Sequence, residues 1–324
     1  MKAFVHALAA ASIALAPRLA SAHGSAAERA SHADQAVSAS PGDPQPLVAR
    51  AELFLDAGDP EAAVGDLERA ATAAGGCTGS PRSATCSRID RLLAEAYLAA
   101  DDGGAAAEVI ERLLVDSASD PRALYLRARL AAADARYRDA ARDLAASLEA
   151  TRDPAASAYL ELAGLHVDDG DDDAAMAAIE SGVSRLGPLV VLVDAAIDIE
   201  MRRGRPAEAL AWTDRWEERM RSSPAGRALR AELLVSLGRA ADAETEASLG
   251  LADIEALPKA RRASSAIVSV QARLRATVDA ARTPSAPPSE PRPLTGPILA
   301  FAAALLSACA FRWLGRRRSG PRPA

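Results

Sequence analysis

A pattern of small residues that recurs about every 34 residues constrains the fold of this 324-residue chain more than any other feature. Six segments share a small residue, a short turn and an Ala at a fixed offset, with Ile197 in place of the first small residue in the fifth segment. They are Ala51…Gly58…Ala63, Ala94…Asp101…Ala106, Ala128…Ala135…Ala140, Ala163…Gly170…Ala175, Ile197…Gly204…Ala209 and Ala231…Gly238…Ala243. The third members fall 43, 34, 35, 34 and 34 residues apart. This period predicts stacked helical hairpins, each of which buries its apolar face only against its neighbours.

The composition agrees with a helical fold and excludes some partners. Hydrophobic residues make up 49% of the chain but aromatic residues only 3%, so that Ala, the strongest helix former, supplies much of the apolar content. The sequence therefore predicts an all-α protein. Its formal net charge of −6 argues against nucleic acid as a partner, because phosphate neutralisation needs a surplus of Lys and Arg.

The repeat resembles the tetratricopeptide repeat (TPR) family over residues 44–251. The residues that carry the resemblance are Ala51, Phe54, Gly58, Ala63, Ala70, Ala94, Tyr97, Ala106, Ala128, Tyr137, Ala140, Pro154, Ala163, Gly170, Ala175, Gly204, Ala209, Trp216, Ala231, Gly238 and Ala243. Residues 181–201 also look like part of a group of exported bacterial repeat proteins. The resemblance implies a right-handed α-solenoid of about six hairpins that binds a protein or peptide on its concave face. Residues 252–282 have helical periodicity and are expected to form capping helices.

The N-terminus has the features of a secretory signal peptide. A Lys at position 2 precedes an Ala-rich apolar run, and Ala20, Ser21 and Ala22 supply the small residues that signal peptidase requires. We therefore predict a signal peptide over residues 1–22 and a flexible segment over residues 23–43. The alternative is that residues 1–22 form a helix of the folded domain.

The C-terminus has the features of a membrane anchor. We predict a Pro-rich linker over residues 283–296, a transmembrane helix over residues 297–315 and a basic cytoplasmic tail over residues 316–324. The protein would then be exported and cross the inner membrane once, with its solenoid in the periplasm or outside the cell. Without the seven positive charges of the two ends, the exported body carries −13. The alternatives are a buried C-terminal helix and a sorting signal that is removed by cleavage.

Two cysteines flank the longest insertion in the repeat. Cys77 and Cys86 lie where the spacing is 43 residues instead of 34. In an oxidising compartment this pair predicts a disulfide, while two free thiols or a metal site remain alternatives. Cys309 lies within the apolar C-terminal run, where we expect a small membrane residue or, as the alternative, a processing or lipidation site.

The predicted concave face carries the candidate binding residues. By the repeat register it includes Arg88, Arg91, Arg122, Tyr125 and Arg129 in the second and third hairpins, and Asp194, Asp198 and Arg202 in the fifth. Four Arg around one Tyr reverse the local charge of an acidic body. This cluster is expected to receive an acidic segment or a C-terminal carboxylate. The alternative is that the arginines are paired with Glu95 and neighbouring acids.

No catalytic or metal-binding motif accompanies these residues. Asp169, Asp171, Asp173 and Glu180 match part of a calcium-binding loop, but Ala174 stands where that loop needs Gly. We expect a solvated turn in which Asp172 or Asp173 caps the next helix. The sequence therefore predicts a non-enzymatic adaptor without cofactor, metal or small-molecule substrate. The alternative is a structural accessory subunit of a membrane-bound enzyme or transporter.

Overall fold

A computed structural model describes residues 26–79 and 82–282 of the chain. The predicted signal peptide, linker, transmembrane helix and basic tail all lie outside these residues, as does Cys309. Among the helices of the described ranges, none is both long enough and apolar enough to cross a membrane.

Helices account for the regular structure of the described residues, and the chain divides into two compact units at Arg152 and Asp153. Unit 1 contains α1 (Ala26–Ala39), α2 (Pro44–Ala57), α3 (Pro60–Ala73), α4 (Ala84–Ala99), α5 (Gly103–Asp116), α6 (Pro121–Ala133) and α7 (Tyr137–Ala150). Unit 2 contains α8 (Ala156–Asp168), α9 (Asp172–Leu186), α10 (Val190–Arg202), α11 (Pro206–Thr213), α12 (Glu218–Arg221), α13 (Pro224–Ser236), α14 (Ala240–Glu255), α15 (Lys259–Arg262) and α16 (Ser265–Arg282). The all-helical prediction is confirmed for this part of the chain.

The turn between the two helices of each hairpin has one repeated backbone conformation. The middle residue of each triplet has a positive φ in all six hairpins. These residues are Gly58, Asp101, Ala135, Gly170, Gly204 and Gly238, with φ of 76°, 64°, 57°, 80°, 70° and 71°. In the first hairpin, the backbone N–H of Gly58 donates to Leu55 and that of Asp59 donates to Phe54. This pattern ends the first helix and turns the chain into the second, because it satisfies the carbonyls that the last helical turn leaves free.

Asp and Pro residues define several helix starts. The side chain of Asp59 accepts a hydrogen bond from the backbone N–H of Ala62, and Asp102 and Asp171 do the same at the starts of α5 and α9. Each cap satisfies a backbone donor that the first helical turn leaves unpaired. Pro occupies the first helical position of α2, α3, α6, α11 and α13, where its fixed φ fits and its missing N–H costs nothing.

The repeat positions form the interior of each unit. The first and third members of all six triplets are no more than 4% exposed. Small side chains at these positions allow the two helices of a hairpin to approach closely, while larger residues such as Leu67, Ile89, Ile110 and Leu126 fill the space between hairpins in unit 1. Consecutive helices of unit 1 pack against one another from α1 to α7.

The segment over residues 23–43, which we predicted to be flexible, contains a helix in its described part. Residues Ala26–Ala39 form α1, which packs against α2. Val37 is only 7% exposed within the core of unit 1, and Asp34 accepts a hydrogen bond from Arg50 at 2.7 Å. Burial of one branched side chain and one ion pair thus order a segment whose Ala- and Ser-rich composition suggested mobility.

In unit 2, α16 packs against both helices of the last hairpin, α13 and α14. Leu274 and Val278 of α16 are buried against Ala228, Ala231 and Ile254. This is the packing expected of a capping helix, because it covers an apolar surface that has no further hairpin beside it. The fifth hairpin departs from the regular pattern, since its second helix, α11, has only eight residues and is followed by the short α12.

Candidate functional site

The predicted binding residues of unit 1 lie on the first helices of neighbouring hairpins. α4 contacts both α2 and α6, so that these three first helices lie side by side. Together the five predicted residues on α4 and α6 form a surface that we call the arginine face: Arg88, Arg91, Arg122, Tyr125 and Arg129. The structure therefore brings the predicted site residues of unit 1 onto adjacent elements.

Ion pairs within the chain neutralise most of the arginine face. Arg88 lies 2.6 Å from Glu52 of α2, and Nε of Arg122 donates to Glu95 of α4 at 2.9 Å. Both pairs join one first helix to the next. The alternative in which the arginines are paired with neighbouring acids thus describes these residues, and the face is a mixed-charge surface.

Arg91 has a structural role at the start of α6. Its guanidinium lies 2.5 Å from Asp120, the residue that caps α6 by accepting hydrogen bonds from the backbone N–H groups of Arg122 and Ala123. Burial favours the neutral form of Asp120, but the backbone hydrogen bond from Ala123 and the guanidinium of Arg91 together hold its pKa below the usual value. Arg91 therefore stabilises a helix cap and is not available to a partner.

Arg129 differs from the other three arginines. Among the described residues, no carboxylate lies within ion-pair distance of its guanidinium, and its side chain is partly buried. Tyr125 lies one turn earlier on the same helix. The guanidinium of Arg122 lies 5.3 Å from the centre of its ring, and this contact helps to hold the ring in place. Arg129 is therefore the arginine of this face that a partner's carboxylate can engage, with the Tyr125 ring one helical turn away.

The corresponding residues of unit 2 form an acidic surface on α10. Asp194 and Asp198 are one helical turn apart and partly buried, and Arg202 lies 3.3 Å from Asp172 of α9. Burial raises the pKa of Asp194 to about 6, partly offset by the indole of Trp216. Burial and the nearby charge of Asp194 raise the pKa of Asp198 to about 6. The sequence placed these aspartates on the face but did not identify Trp216 as their neighbour.

The two cysteines of the insertion lie at bonding distance. The Sγ atoms of Cys77 and Cys86 are 2.11 Å apart, and their Cα atoms are 5.4 Å apart. Cys86 is buried near the start of α4, whereas Cys77 follows the end of α3 in a left-handed conformation with φ of 52°. This geometry accommodates the predicted disulfide, whose presence in the protein is tested by an experiment below.

Comparison with known proteins gives similarity in structure only. No family model matches the sequence, and no curated protein is similar to it. Solved structures that resemble it include the C-terminal part of a TPR repeat-containing protein from Cytophaga hutchinsonii (8% identity, 79% of this chain and 94% of that chain, TM-score 0.49). Another is a tetratricopeptide repeat protein from Parabacteroides merdae (16% identity, 77% of this chain and 92% of that chain, TM-score 0.44). The chain is similar to tetratricopeptide repeat proteins.

A further similar structure is the Cut9–Hcn1 hetero-tetramer of the APC/C (14% identity, 59% of this chain, TM-score 0.45), where the matched region spans only 36% of the other chain. In the described residues of this chain, the hairpins are visible directly in the helix pairs, the buried small residues and the repeated positive-φ turns.

The acidic turn before α9 caps that helix and pairs with α10. Asp171 caps α9 by accepting a hydrogen bond from the backbone N–H of Ala174 at 2.9 Å, so the expectation that Asp172 or Asp173 would be the cap is wrong by one or two residues. Asp172 and Asp173 instead pair with Arg202 and Arg203 of α10. Within the described residues, no group of three or more His, Cys, Asp or Glu side chains is arranged to hold a metal ion.

Proposed function

We propose that the protein is an exported, membrane-anchored scaffold that binds a protein or peptide on the first helices of its hairpins and catalyses no reaction. The sequence features of residues 1–22 and 297–315 support export and anchoring. In unit 1, two ion pairs between first helices, Arg88–Glu52 and Arg122–Glu95, favour one arrangement of the arginine face before a partner arrives. Such preorganisation lowers the entropy lost on binding.

Arg129, beside Tyr125, is the observation that carries this proposal. Among the described residues its partly buried guanidinium has no carboxylate partner, whereas the other three arginines of the face are paired, and it offers a bidentate site to a carboxylate. Tyr125 supplies rigid contact area next to it. Arg and Tyr are both enriched among the residues that dominate binding energy at interfaces. The partner is therefore expected to present an acidic side chain or a C-terminal carboxylate.

The test is crosslinking and affinity recovery of the full-length protein from its native membranes, with the recovered proteins quantified by mass spectrometry. Arg129→Glu and Tyr125→Ala should each lower recovery of specific partners about tenfold. Arg91 and Arg122 are not used, because replacing them would also disturb the start of α6 or the pairing with Glu95.

Arg142→Glu is the matched control, because it makes the same charge change on α7 at a side chain that is 74% exposed and paired only with Asp139 on its own helix. Recovery should be unaffected by this variant. If Arg129→Glu and Tyr125→Ala leave the partners unchanged, the arginine face is not the binding surface.

A second experiment separates the scaffold from a structural accessory subunit. Residues 297–315 are replaced by an unrelated apolar span of equal length. A scaffold that binds through its hairpins keeps its partners after this exchange, whereas a subunit that assembles through its membrane helix loses them.

A further inference from the structure

One face of α10 in unit 2 carries acidic and apolar side chains, so its charge is opposite to that of the arginine residues in unit 1. Val191, Asp194 and Asp198 follow one another at intervals of three and four residues, which places them on the same side of the helix. Val191 is 51% exposed, and the two preceding residues, Leu189 and Val190, are 44% and 40% exposed. We call the surface of Val191, Asp194 and Asp198, with the neighbouring Trp216, the aspartate face.

The two carboxylates of the aspartate face have no cation beside them. Among the described residues, no Arg, Lys or His lies within 4 Å of Asp194 or Asp198, and Arg202, one turn further along, is engaged with Asp172. Two like charges in a partly buried position are costly for the folded protein, because neither is compensated. The raised pKa values of both groups reflect this cost.

Trp216 adds a buried polar atom beside these carboxylates. Its side chain is 3% exposed, and among the described residues Nε1 has no partner in hydrogen-bond geometry. The indole N–H acts on Asp194, whose pKa it lowers, yet Oδ1 of Asp194 is itself buried without a partner in the described part of the chain. Buried polar atoms of a folded protein are nearly always hydrogen-bonded, so this open acceptor, one helical turn from a second carboxylate, indicates a site prepared for a further donor.

We propose that the aspartate face binds a cationic side chain of a basic, partly apolar peptide segment. An ammonium or guanidinium group would lie between Asp194 and Asp198 and donate to Oδ1 of Asp194, while an adjacent apolar residue of the peptide would cover Val191. Charge complementarity selects a basic segment over an acidic one, and the exposed valines select one that also carries apolar side chains. This inference rests on the proposed peptide-binding role and names a partner class for unit 2.

The test measures binding of a short fluorescein-labelled Gly/Ser peptide carrying Lys and Leu residues to the full-length protein by fluorescence anisotropy. A matched peptide with Glu in place of each Lys is measured in parallel. We expect the wild-type protein to prefer the Lys peptide. Asp194→Asn combined with Asp198→Asn should raise its Kd at least tenfold, because both charges are removed at nearly constant shape.

The matched control is Asp168→Asn combined with Glu180→Gln. It removes the same charge from exposed positions on α8 and α9 of the same unit, and it should change the Kd less than twofold. An equal loss in both double variants would mean that the peptide senses only net charge, and the inference would be overturned. No preference for the Lys peptide, or an unchanged Kd in the Asn variant, would overturn it as well.

If the Asn variant does not fold, a second measurement on the wild-type protein tests whether the Lys peptide binds at the aspartate face. The indole Nε1–H signal of Trp216 in a ¹H–¹⁵N spectrum should shift when the Lys peptide is added, and an unperturbed signal at saturation would contradict the inference. The proposed scaffold function has its own test through Arg129 and Tyr125 in unit 1. If that test succeeds while the Lys peptide does not bind, the aspartate-face inference alone fails.

Discussion

Ala135 has the same left-handed backbone conformation as Gly170, the residue at the corresponding position of the next hairpin. This conformation costs about 1–2 kcal/mol for a residue with a Cβ atom. Ala135 is exposed, so its methyl group contributes little packing in return. We therefore expect Ala135→Gly to raise the free energy of unfolding by about 1 kcal/mol, as measured by urea denaturation.

Ala177→Gly provides the control, because it makes the same substitution at an exposed residue in the interior of α9. A glycine in a helix costs about 0.5–1 kcal/mol, so this variant should be less stable than the wild type. If the two variants shifted in the same direction, the strain assigned to Ala135 would be wrong.

Two helical glycines should respond to alanine in opposite ways. A Cβ atom at Gly182 of α9 would lie 2.9 Å from Cγ of Tyr159, a buried ring on α8, whereas a Cβ atom at Gly65 of α3 would meet nothing within 4 Å. Gly182→Ala should therefore destabilise the protein by about 1–3 kcal/mol, because the ring has to move. Gly65→Ala should stabilise it by about 0.5–1 kcal/mol through helix propensity. Thermal denaturation of the two variants tests this, and a stable Gly182→Ala protein would show that the ring adapts freely.

The aspartate face should reduce stability at neutral pH. The pKa values of Asp194 and Asp198 are raised to about 6 in the folded protein, above the ordinary value of 3.8, so the folded state retains protons that the unfolded state releases. Stability is therefore lost as the pH rises from about 4 to about 6, and the loss is complete above that range. Because both side chains are only partly buried, solvent screening reduces the effect to an order of 1 kcal/mol.

Asn cannot ionise, so the double variant Asp194→Asn/Asp198→Asn should be more stable than the wild type near pH 7.5 and equally stable near pH 4. The measurement is the free energy of unfolding of both proteins across this range. A difference that did not depend on pH would show that the aspartates contribute through packing and not through charge.

The predicted disulfide between Cys77 and Cys86 is testable by its effect on stability. Closing a loop of about ten residues should add about 2–3 kcal/mol. Tris(2-carboxyethyl)phosphine should therefore lower the stability of the wild-type protein by this amount. It should have no effect on Cys77→Ser/Cys86→Ala, in which the buried position receives an apolar residue. Peptide mapping without reduction identifies the linkage directly, and two alkylatable thiols in the exported protein would contradict the prediction.

The sequence was sufficient to predict the hairpin fold because the small residues act through local geometry. Ala63 and its equivalents pack where two helices cross, so that their spacing reports the period of the structure directly. The turn at Ala135 was found in the same way, although it lacks glycine, because its position in the period identifies it. The helix α1 was not predicted, since it lies before the first repeat and packs through Val37 against α2.

The candidate site was only partly predictable. The register placed Arg88 and Arg129 on first helices, but it could not show that Glu52, 36 residues before Arg88, takes up that charge while Arg129 has no carboxylate partner in the described ranges. Such pairing depends on side-chain direction and not on spacing alone. Trp216 was missed as a site residue because α11 ends at Thr213, earlier than the period implies, and this early end brings the indole next to Asp194.

The insertion between α3 and α4 has a practical consequence. Nine residues more than the usual period separate Ala63 and Ala106, yet both remain fully buried, so the junction tolerates added length without altering the packing on either side. Loop-closure entropy grows only slowly with chain length. The exposed residues Thr78 and Gly79 are therefore a suitable place to insert an epitope or a fluorescent reporter for following the protein in living cells.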